Sequence, residues 1–315
     1  MDPPAMPAGP DPERGIPTVA ELPFIDPHHH LWDLEANYYP WLTDGVKPSA
    51  FGDYEAIRKS YLLDDYLEDA RNQNLVKSVH LDVGFDPSDP VGETRWLQEI
   101  ANKRGFPHGI VGYADLSKPD VGDLLDRHME YPNFRGIRQS MNYHPDPAKT
   151  YQARPEVSRT PQWRRGFGEL AKRRLSFDLQ LYYPQMGEFL ELARDFPDVQ
   201  IILNHTGMQV DGPEHFGAWK KGMHQLAQAP NVACKISGLG MGDWKWTVAT
   251  IRPYVEEAIA AFGVGRCMFA TNFPVDKLFS SFDAIVNAFK EITRGYTHQE
   301  RLALFHDNAA RYYRL

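Results

Sequence analysis

The chain has 315 residues, and its 34 Lys and Arg residues against 42 Asp and Glu residues give a formal net charge of -8. It contains no basic run that would follow a phosphate backbone, so nucleic acid is not an expected partner. Its two cysteines, Cys234 and Cys267, argue against a disulfide framework. No apolar run approaches the ~20 residues that a membrane span needs, so we expect a cytoplasmic protein without a membrane partner.

The length allows one large domain or two ordinary ones. Residues 1–20 are rich in Pro, Asp and Gly and carry no apolar stretch of the kind found in signal peptides. No long Pro, Gly or Ser linker interrupts the remainder. We therefore expect a disordered N-terminal lead over 1–20 and a single domain over 21–315.

Three consecutive histidines end the first predicted strand, Pro23–His30. Successive side chains of a strand alternate between its faces, which predicts Asp26, His28 and His30 on one face and His29 on the other. Two imidazoles on one face at a strand end can reach one small ion or one polarised oxygen. A solvated loop or a tag remnant is the alternative, but the run is short, internal and followed by aromatic residues.

Further β-rich runs alternate with segments whose apolar residues have helical spacing. Eight strands, each followed by a helix, predict a single-domain (β/α)8 barrel of the α/β class, with its active site at the carboxyl ends of the strands. A doubly wound open sheet is the alternative, but no Gly-x-Gly-x-x-Gly turn follows the first strand. The later predicted strands are Lys77–Gly84, His108–Leu116, Phe134–Tyr143, Ser176–Tyr183, Gln200–Met208, Asn231–Gly238 and Arg266–Pro274. The predicted helices between successive strands are Tyr61–Asn74, Glu93–Arg104, Asp120–Glu130, Gln162–Lys172, Met186–Phe196, Phe216–Gln228 and Val255–Phe262.

Polar side chains recur toward the carboxyl ends of seven of these strands. A single polar residue in such a place is more often a hydrogen-bonded core group than a catalyst. Agreement among seven strands favours a site. The residues, in strand order, are His28 and His30; His80 and Asp82; Arg138; Asp178, Gln180 and Tyr182; His205; Lys235 and Ser237; and Asn272 with Asp276.

Six motifs follow one another along the chain: Ile25–Asp33, Tyr39–Leu42, Phe134–Arg138, Leu203–Gly207, Lys235–Leu239 and Met268–Asp276. In this order they resemble the amidohydrolase superfamily, specifically the lactonase-like branch known as amidohydrolase family 2. The resemblance runs from about residue 23 to the last residue. It implies hydrolysis of a lactone or related cyclic ester by an activated water. A more distant branch of the superfamily decarboxylates aromatic acids, which makes a decarboxylase the alternative enzyme.

The resemblance also implies roles for individual residues. His28, His30 and His205 would bind a divalent ion such as zinc where one is present, and would otherwise polarise the carbonyl. Arg138 and Lys235 would face a substrate carboxylate or the developing oxyanion. The sequence supports one bound metal ion and the absence of a metal ion equally. It shows no Lys or Glu on the fourth strand that would bridge two ions, so we do not expect a binuclear centre.

The eighth strand departs from the family pattern, since Asn272 stands where an aspartate normally acts as general base. An amide neither takes up a proton near neutral pH nor offsets the charge of zinc. Three interpretations remain open. Asp82 or Asp276 is the base; or His205 is the base while Asn272 orients the water; or the barrel only binds, or catalyses a reaction without an activated water.

The expected ligand is a small molecule, which the sequence does not name. Gln180, Trp32 and Tyr182 are predicted substrate contacts, with Trp32 the favoured aromatic wall, although packing at the barrel mouth explains any one aromatic residue as well. Gly242–Trp246 is a predicted lid or specificity loop. The segments 143–159 and 209–218 either cover the mouth or contact another copy, which leaves a homo-oligomer open.

Overall fold

The computed structural model describes residues 22–152 and 154–315. The predicted lead over 1–20 lies outside these residues. Eight parallel strands pair in chain order from β1 to β8, and a parallel bridge from His29 to Phe273 brings β8 to β1. The predicted (β/α)8 barrel is confirmed, and the open-sheet alternative is wrong. The strands are β1 Phe24–His29, β2 Leu75–Leu81, β3 Gly109–Tyr113, β4 Phe134–Ser140, β5 Ser176–Gln180, β6 Ile201–Leu203, β7 Val232–Ile236 and β8 Cys267–Phe269.

Helices surround the barrel and cover its apolar outer face. α8 begins at Val248 rather than at the predicted Val255, because the Thr247 hydroxyl caps it by accepting a hydrogen bond from the Thr250 amide at 3.2 Å. No helix in the described ranges is both long and apolar enough to cross a membrane. The helices are α1 Pro40–Thr43, α2 Leu63–Asp69, α3 Gly92–Arg104, α4 Val121–Met129, α5 Pro161–Arg173, α6 Met186–Asp195, α7 Phe216–Leu226, α8 Val248–Phe262, α9 Phe282–Ile292, α10 His298–Leu302 and α11 Asn308–Tyr313.

The barrel interior has its own apolar core, separate from the core between strands and helices. Tyr313 and Ala309 of α11 pack into this interior core and close the end of the barrel opposite the carboxyl ends of the strands. Because these side chains fill the barrel interior, it is a packed core and not a pore. The strand residues of this core are Ile25, Val79, Leu81, Val111, Ile202, Ala233 and Met268.

A β-bulge in β1 reverses the alternation of its side chains. The pairing with β2 shifts register between Asp26 and His29, and Ile25 belongs to the interior core. Asp26 instead accepts hydrogen bonds from the hydroxyls of Tyr66 on α2, at 2.9 Å, and Thr271, at 2.6 Å. The predicted common face of Asp26 with His28 and His30 is therefore wrong, because one extra residue in a strand turns the following side chains to the other face.

Beyond the bulge, the prediction for the histidines agrees with the structure. The rings of His28 and His30 lie edge to face with 5.0 Å between their centroids. His29 turns the other way and stacks on Tyr66 at 4.1 Å. The bulge therefore aims two imidazoles at the mouth of the barrel.

Candidate active site

A cavity of about 920 Å³ opens at the carboxyl ends of the strands. In a barrel of parallel strands this end gathers side chains from several strands, which is where such proteins place their chemistry. Six of the residues singled out from the sequence line it: His30, Asp82, Arg138, Gln180, His205 and Asn272. Because these six come from different strands, the barrel brings together residues that are far apart in the sequence.

Arg138, at the end of β4, lies at the centre of this group. Its Nη1 donates to Oε1 of Gln180 at 3.1 Å and lies 3.4 Å from Nε2 of His28. Its Nη2 donates to the main-chain carbonyl of Asp82, and its Nε lies 3.6 Å from Oδ2 of the same residue. Since a guanidinium keeps its charge and offers only donors, these contacts hold a permanent cation at the inner end of the cavity.

Three histidine rings lie beside this cation. The centroids of His28 and His205 are 4.4 Å apart. Burial, reinforced by nearby cationic groups, lowers the pKa of His28, His30 and His205 well below the usual 6.5. All three are therefore neutral imidazoles at neutral pH, able to accept hydrogen bonds.

Protein contacts determine which ring nitrogens are free. Nδ1 of His30 lies 2.8 Å from the carbonyl of Leu81, an acceptor, so this nitrogen carries the proton and Nε2 keeps its lone pair. Nδ1 of His205 contacts the hydroxyl of Ser237 at 2.9 Å. Both rings are thus oriented through one nitrogen while the other remains available to a bound molecule.

The backbone at the mouth adopts left-handed conformations that side-chain-bearing residues rarely take. His205 has φ 54° and Asn272 has φ 59°. Gly238, with φ 62°, follows β7, and a Cβ there would lie 2.6 Å from Nδ1 of His205. Strain of this kind persists where the surroundings over-determine a conformation, which is common at functional sites.

Asn272 is held by Asp276, the carboxylate that the sequence singled out beyond the eighth strand. Its Nδ2 donates to Oδ2 of Asp276 at 2.5 Å, and both residues are buried. Burial raises the pKa of Asp276 to about 7, although the bond from Asn272 partly opposes that shift. With its nitrogen occupied by Asp276, the amide of Asn272 offers its oxygen to a molecule in the cavity.

Two carboxyl groups, those of Asp82 and Glu93, also line the cavity. Asp82 accepts the Gly84 amide at Oδ1, 3.1 Å away, and burial raises its pKa while Arg138 opposes that shift. Glu93, at the start of α3, was not predicted from the sequence. It accepts the Val83 amide at 3.3 Å, and burial and nearby Asp82 raise its pKa well above the usual 4.5. An acidic residue in the first turn of a helix is ordinarily explained by the helix dipole, so only its position after β2 could have indicated it.

Lys235, a predicted substrate contact, does not line the cavity. Its Nζ lies in the barrel interior, 2.6 Å from Oδ1 of Asp178 and 3.2 Å from the carbonyl of Pro27. The hydroxyl of Tyr313 donates to the same Asp178 oxygen at 2.6 Å. Burial lowers the pKa of Lys235 to about 8, with Asp178 opposing the shift. These contacts satisfy a buried ion pair beneath the cavity.

Trp32 and Tyr182 also lie outside the cavity wall. The indole nitrogen of Trp32 donates to the carbonyl of Lys59 at 2.7 Å, and the ring is fully buried. The hydroxyl of Tyr182 donates to the carbonyl of Lys149 at 2.5 Å. Both side chains therefore support the loops around the mouth rather than face it.

The three neutral histidines are the type of ligand that zinc takes, but their arrangement does not fit a metal centre. The guanidinium of Arg138 lies against Nε2 of His28, the nitrogen that an ion would need. Asn272 adds no negative charge to offset an ion. Among the residues that the structure describes, no three His, Cys, Asp or Glu side chains are arranged to hold a metal.

Comparisons with known proteins agree with this architecture. The amidohydrolase family model Amidohydro_2 matches residues 25–315. An uncharacterized protein of Sinorhizobium fredii, y4mH, is 76% identical over 94% of this chain and all of the relative's length. An L-fucono-1,5-lactonase of Burkholderia ambifaria is 25% identical over 92% of this chain and 95% of the relative.

Solved structures share the fold as well. A crystal structure of an amidohydrolase from Burkholderia multivorans with bound Zn has a TM-score of 0.77 and 25% identity, over 93% of this chain and 99% of that one. A 2,6-dihydroxybenzoate decarboxylase from Rhizobium has a TM-score of 0.65 at 16% identity, over 93% of this chain and 98% of that one. At that identity the decarboxylase shows the fold alone.

Proposed function

This chain belongs to the amidohydrolase family, and from that membership we propose that it hydrolyses the ester bond of a lactone. The observation that carries the proposal is the central position of Arg138, whose guanidinium is fixed at the inner end of the cavity. A cation held in this way is suited to a carbonyl oxygen that gains negative charge as water attacks. The similarity to L-fucono-1,5-lactonases over most of the chain supports a lactone as the substrate class.

In the proposed reaction the lactone carbonyl accepts a hydrogen bond from Arg138. A water molecule beside Asp82 gives up a proton to that carboxylate and bonds to the carbonyl carbon, and Arg138 stabilises the resulting oxyanion. The bond from this carbon to the ring oxygen then breaks, and the proton held by Asp82 passes to the leaving oxygen. The product is the open hydroxy acid, so one water is consumed and no other reactant is needed.

Asp82 is the proposed base because it lines the cavity beside Arg138 and its surroundings favour proton uptake more than those of an ordinary aspartate. Burial raises its pKa from 3.8, whereas burial lowers that of His205 well below 6.5. A general base works best with a pKa near the operating pH. Asp276 has a suitable pKa of about 7, but its carboxylate holds Asn272 and does not line the cavity. In this scheme the oxygen of Asn272 orients the water or a substrate hydroxyl.

We further propose that the positive charge needed for catalysis comes from Arg138 and not from a metal ion. The guanidinium lies 3.4 Å from the histidine nitrogen that would otherwise face an ion. Preorganised donors in a cavity that excludes water are worth ~10²–10³ in rate for a single donor. Such a contribution requires no metal.

The experiment that tests the function is a proton-release assay with a pH indicator on L-fucono-1,5-lactone and simpler lactones. We expect turnover by the wild type and a loss of about 10²-fold or more in Arg138→Met. Arg164→Met is the matched control, because Arg164 pairs with Asp195 on the helical exterior. Lactone binding without turnover would contradict the proposal and indicate a binding protein. Release of CO₂ from an aromatic acid would contradict it and indicate a decarboxylase.

A further inference from the structure

The outer part of the cavity differs in chemistry from its inner end. Its walls come from the segment between β1 and α2, the β2–α3 loop and the β4–α5 loop. Aromatic rings and prolines predominate there, and the rings include those of Trp41, Phe51 and Tyr54. The whole cavity, at about 920 Å³, is in the range that holds a drug-sized ligand. It is therefore larger than one bare lactone ring requires.

The aromatic wall is preformed. The indole nitrogen of Trp41 donates to the carbonyl of Val83 at 2.7 Å, which fixes the ring across two loops. The ring of Tyr54 lies 5.4 Å from that of Trp41 and 5.7 Å from that of Phe51, centroid to centroid. Rings at these separations present faces and edges to a further flat group without rearrangement, and such contacts favour aromatic partners.

Charge restricts what the cavity can accept. Arg138 is already engaged by Asp82. Among the residues that the structure describes, the other cationic side chain that lines the cavity is Lys47, which is exposed at the rim. Removing a carboxylate from water without a matching cation is costly. An uncharged substrate avoids that cost. The carboxyl-bearing residues of the lining are Asp82, Asp86, Glu93 and Asp146.

We propose that the substrate is an uncharged lactone that carries an aromatic substituent. This inference rests on the proposed lactone hydrolysis and names the substrate class of that same site. The lactone carbonyl lies at Arg138, and the aromatic group extends outward against Trp41, Phe51 and Tyr54. An anionic lactone and an unsubstituted lactone are both poorer substrates, the first because of its charge and the second because it leaves the rings of Trp41 and Phe51 in contact with water.

The test compares three probes in the proton-release assay. They are δ-valerolactone, the same lactone with a phenyl group on the carbon next to the ring oxygen, and the same lactone with a benzoate group there. We expect kcat/KM for the phenyl lactone to exceed that for δ-valerolactone by at least about tenfold, since burial of a ring on an aromatic wall supplies a factor of that order. The benzoate lactone should fall below the phenyl lactone. Equal values for the phenyl and unsubstituted lactones overturn the inference.

Phe51→Ala probes the wall itself, because Phe51 is half-buried and its removal leaves Trp41 and its bond to Val83 in place. We expect the preference for the phenyl lactone to fall to about threefold or less, with KM rising more than kcat falls. Phe196→Ala is the matched control, since Phe196 ends α6 and packs on Phe167 away from the cavity. A preference that survives Phe51→Ala unchanged contradicts the proposed position of the substituent.

A binding measurement separates this inference from the proposed function. The lactam analogues of δ-valerolactone and of its phenyl derivative carry no ester bond, and their affinities can be measured by calorimetry. If no lactone is hydrolysed but the phenyl lactam binds more tightly than the plain lactam, and Phe51→Ala removes the difference, the proposed function fails and the aromatic subsite stands. If both lactams bind equally, the subsite is wrong whatever the assay shows.

Discussion

Asn272 and Asp276 are joined by a 2.5 Å hydrogen bond between amide nitrogen and carboxylate oxygen, and both side chains are buried at the end of β8. The family resemblance places an aspartate at the first of these positions. In this protein an amide faces the cavity and the carboxylate lies behind it. Asp276 therefore orients Asn272 and does not itself take the place of the missing base.

Restoring a carboxylate by Asn272→Asp should destabilise the protein in a pH-dependent manner. Burial already raises the pKa of Asp276 from 3.8 to about 7, and a second carboxyl group in contact raises the pair further. Groups whose folded pKa is raised contribute stability that is present below about pH 4 and is lost as the pH rises through about 7. We expect the free energy of unfolding to fall, relative to wild type, by about 1–3 kcal/mol more at pH 8 than at pH 5.

Urea unfolding at the two pH values measures this difference. The double variant Asn272→Asp with Asp276→Asn keeps one amide and one carboxylate and serves as the control, since it should recover most of the loss at pH 8. Equal destabilisation at both pH values would show that the two groups do not titrate as a pair. A gain in lactone turnover in the single variant would instead indicate a site that had lost its base.

Asp82→Asn tests the proposed base. A positioned acid–base group contributes ~10²–10⁴ in rate, so kcat should fall by that factor while the amide oxygen still accepts the Gly84 amide. Asp89→Asn is the control on the same loop, because Asp89 pairs with Arg95 on the surface. Unchanged turnover in Asp82→Asn would eliminate it as the base and leave His205.

Activity should not depend on a divalent ion. Elemental mass spectrometry of untagged protein should find well under about one equivalent of zinc, and prolonged chelation should leave kcat/KM unchanged. His28→Ala is measured in parallel to identify the ligands of any ion found. About one equivalent of zinc that disappears in this variant, with activity that follows it, would overturn the role given to Arg138.

Gly238→Ala should disable the site through His205. A Cβ at this position meets Nδ1 of His205 at 2.6 Å, and the backbone has φ 62°, which alanine adopts only with strain. We expect a loss of about 1–3 kcal/mol in stability. We also expect a fall in kcat, because the displaced His205 ring lines the cavity near Arg138 and would disturb the bound substrate. Gly265→Ala is the matched control, because nothing lies within 4 Å of a Cβ there and its φ is not left-handed. Equal kcat in the two variants would show that the position of His205 is unimportant.

The fold was predictable because short β-rich runs alternate with segments of helical spacing, and the repeat of strand and helix allows few architectures. The predicted strands generally run too far at their carboxyl ends. The run Gln200–Met208 contains only three strand residues, Ile201–Leu203. The chain then turns through His205 and Thr206 with positive φ. The hydrophobic pattern does not predict that turn. The candidate site begins at the turn, where His205 reaches the cavity.

The sequence predicted which residues lie near the site better than it predicted where their side chains point. Residues at strand ends were found, but the bulge that turns Asp26 away from His28 depends on the register between β1 and β2, which one strand's sequence does not contain. Lys235 has the correct inward parity, yet it lies one layer below the cavity, paired with Asp178. Alternation gives the face of a strand, not the depth at which a side chain lies in the barrel.

The guanidinium of Arg138 is covalently part of the chain and is held by Gln180 and Asp82. In the proposed mechanism, the electrophile therefore arrives with every folded copy and does not have to be captured from solution. Its supply does not vary with the trace elements around the protein, and no chelating molecule can remove it. A fixed cation also limits the site. Its chemistry cannot be altered by exchanging one ion for another, and only an amino-acid substitution can change it.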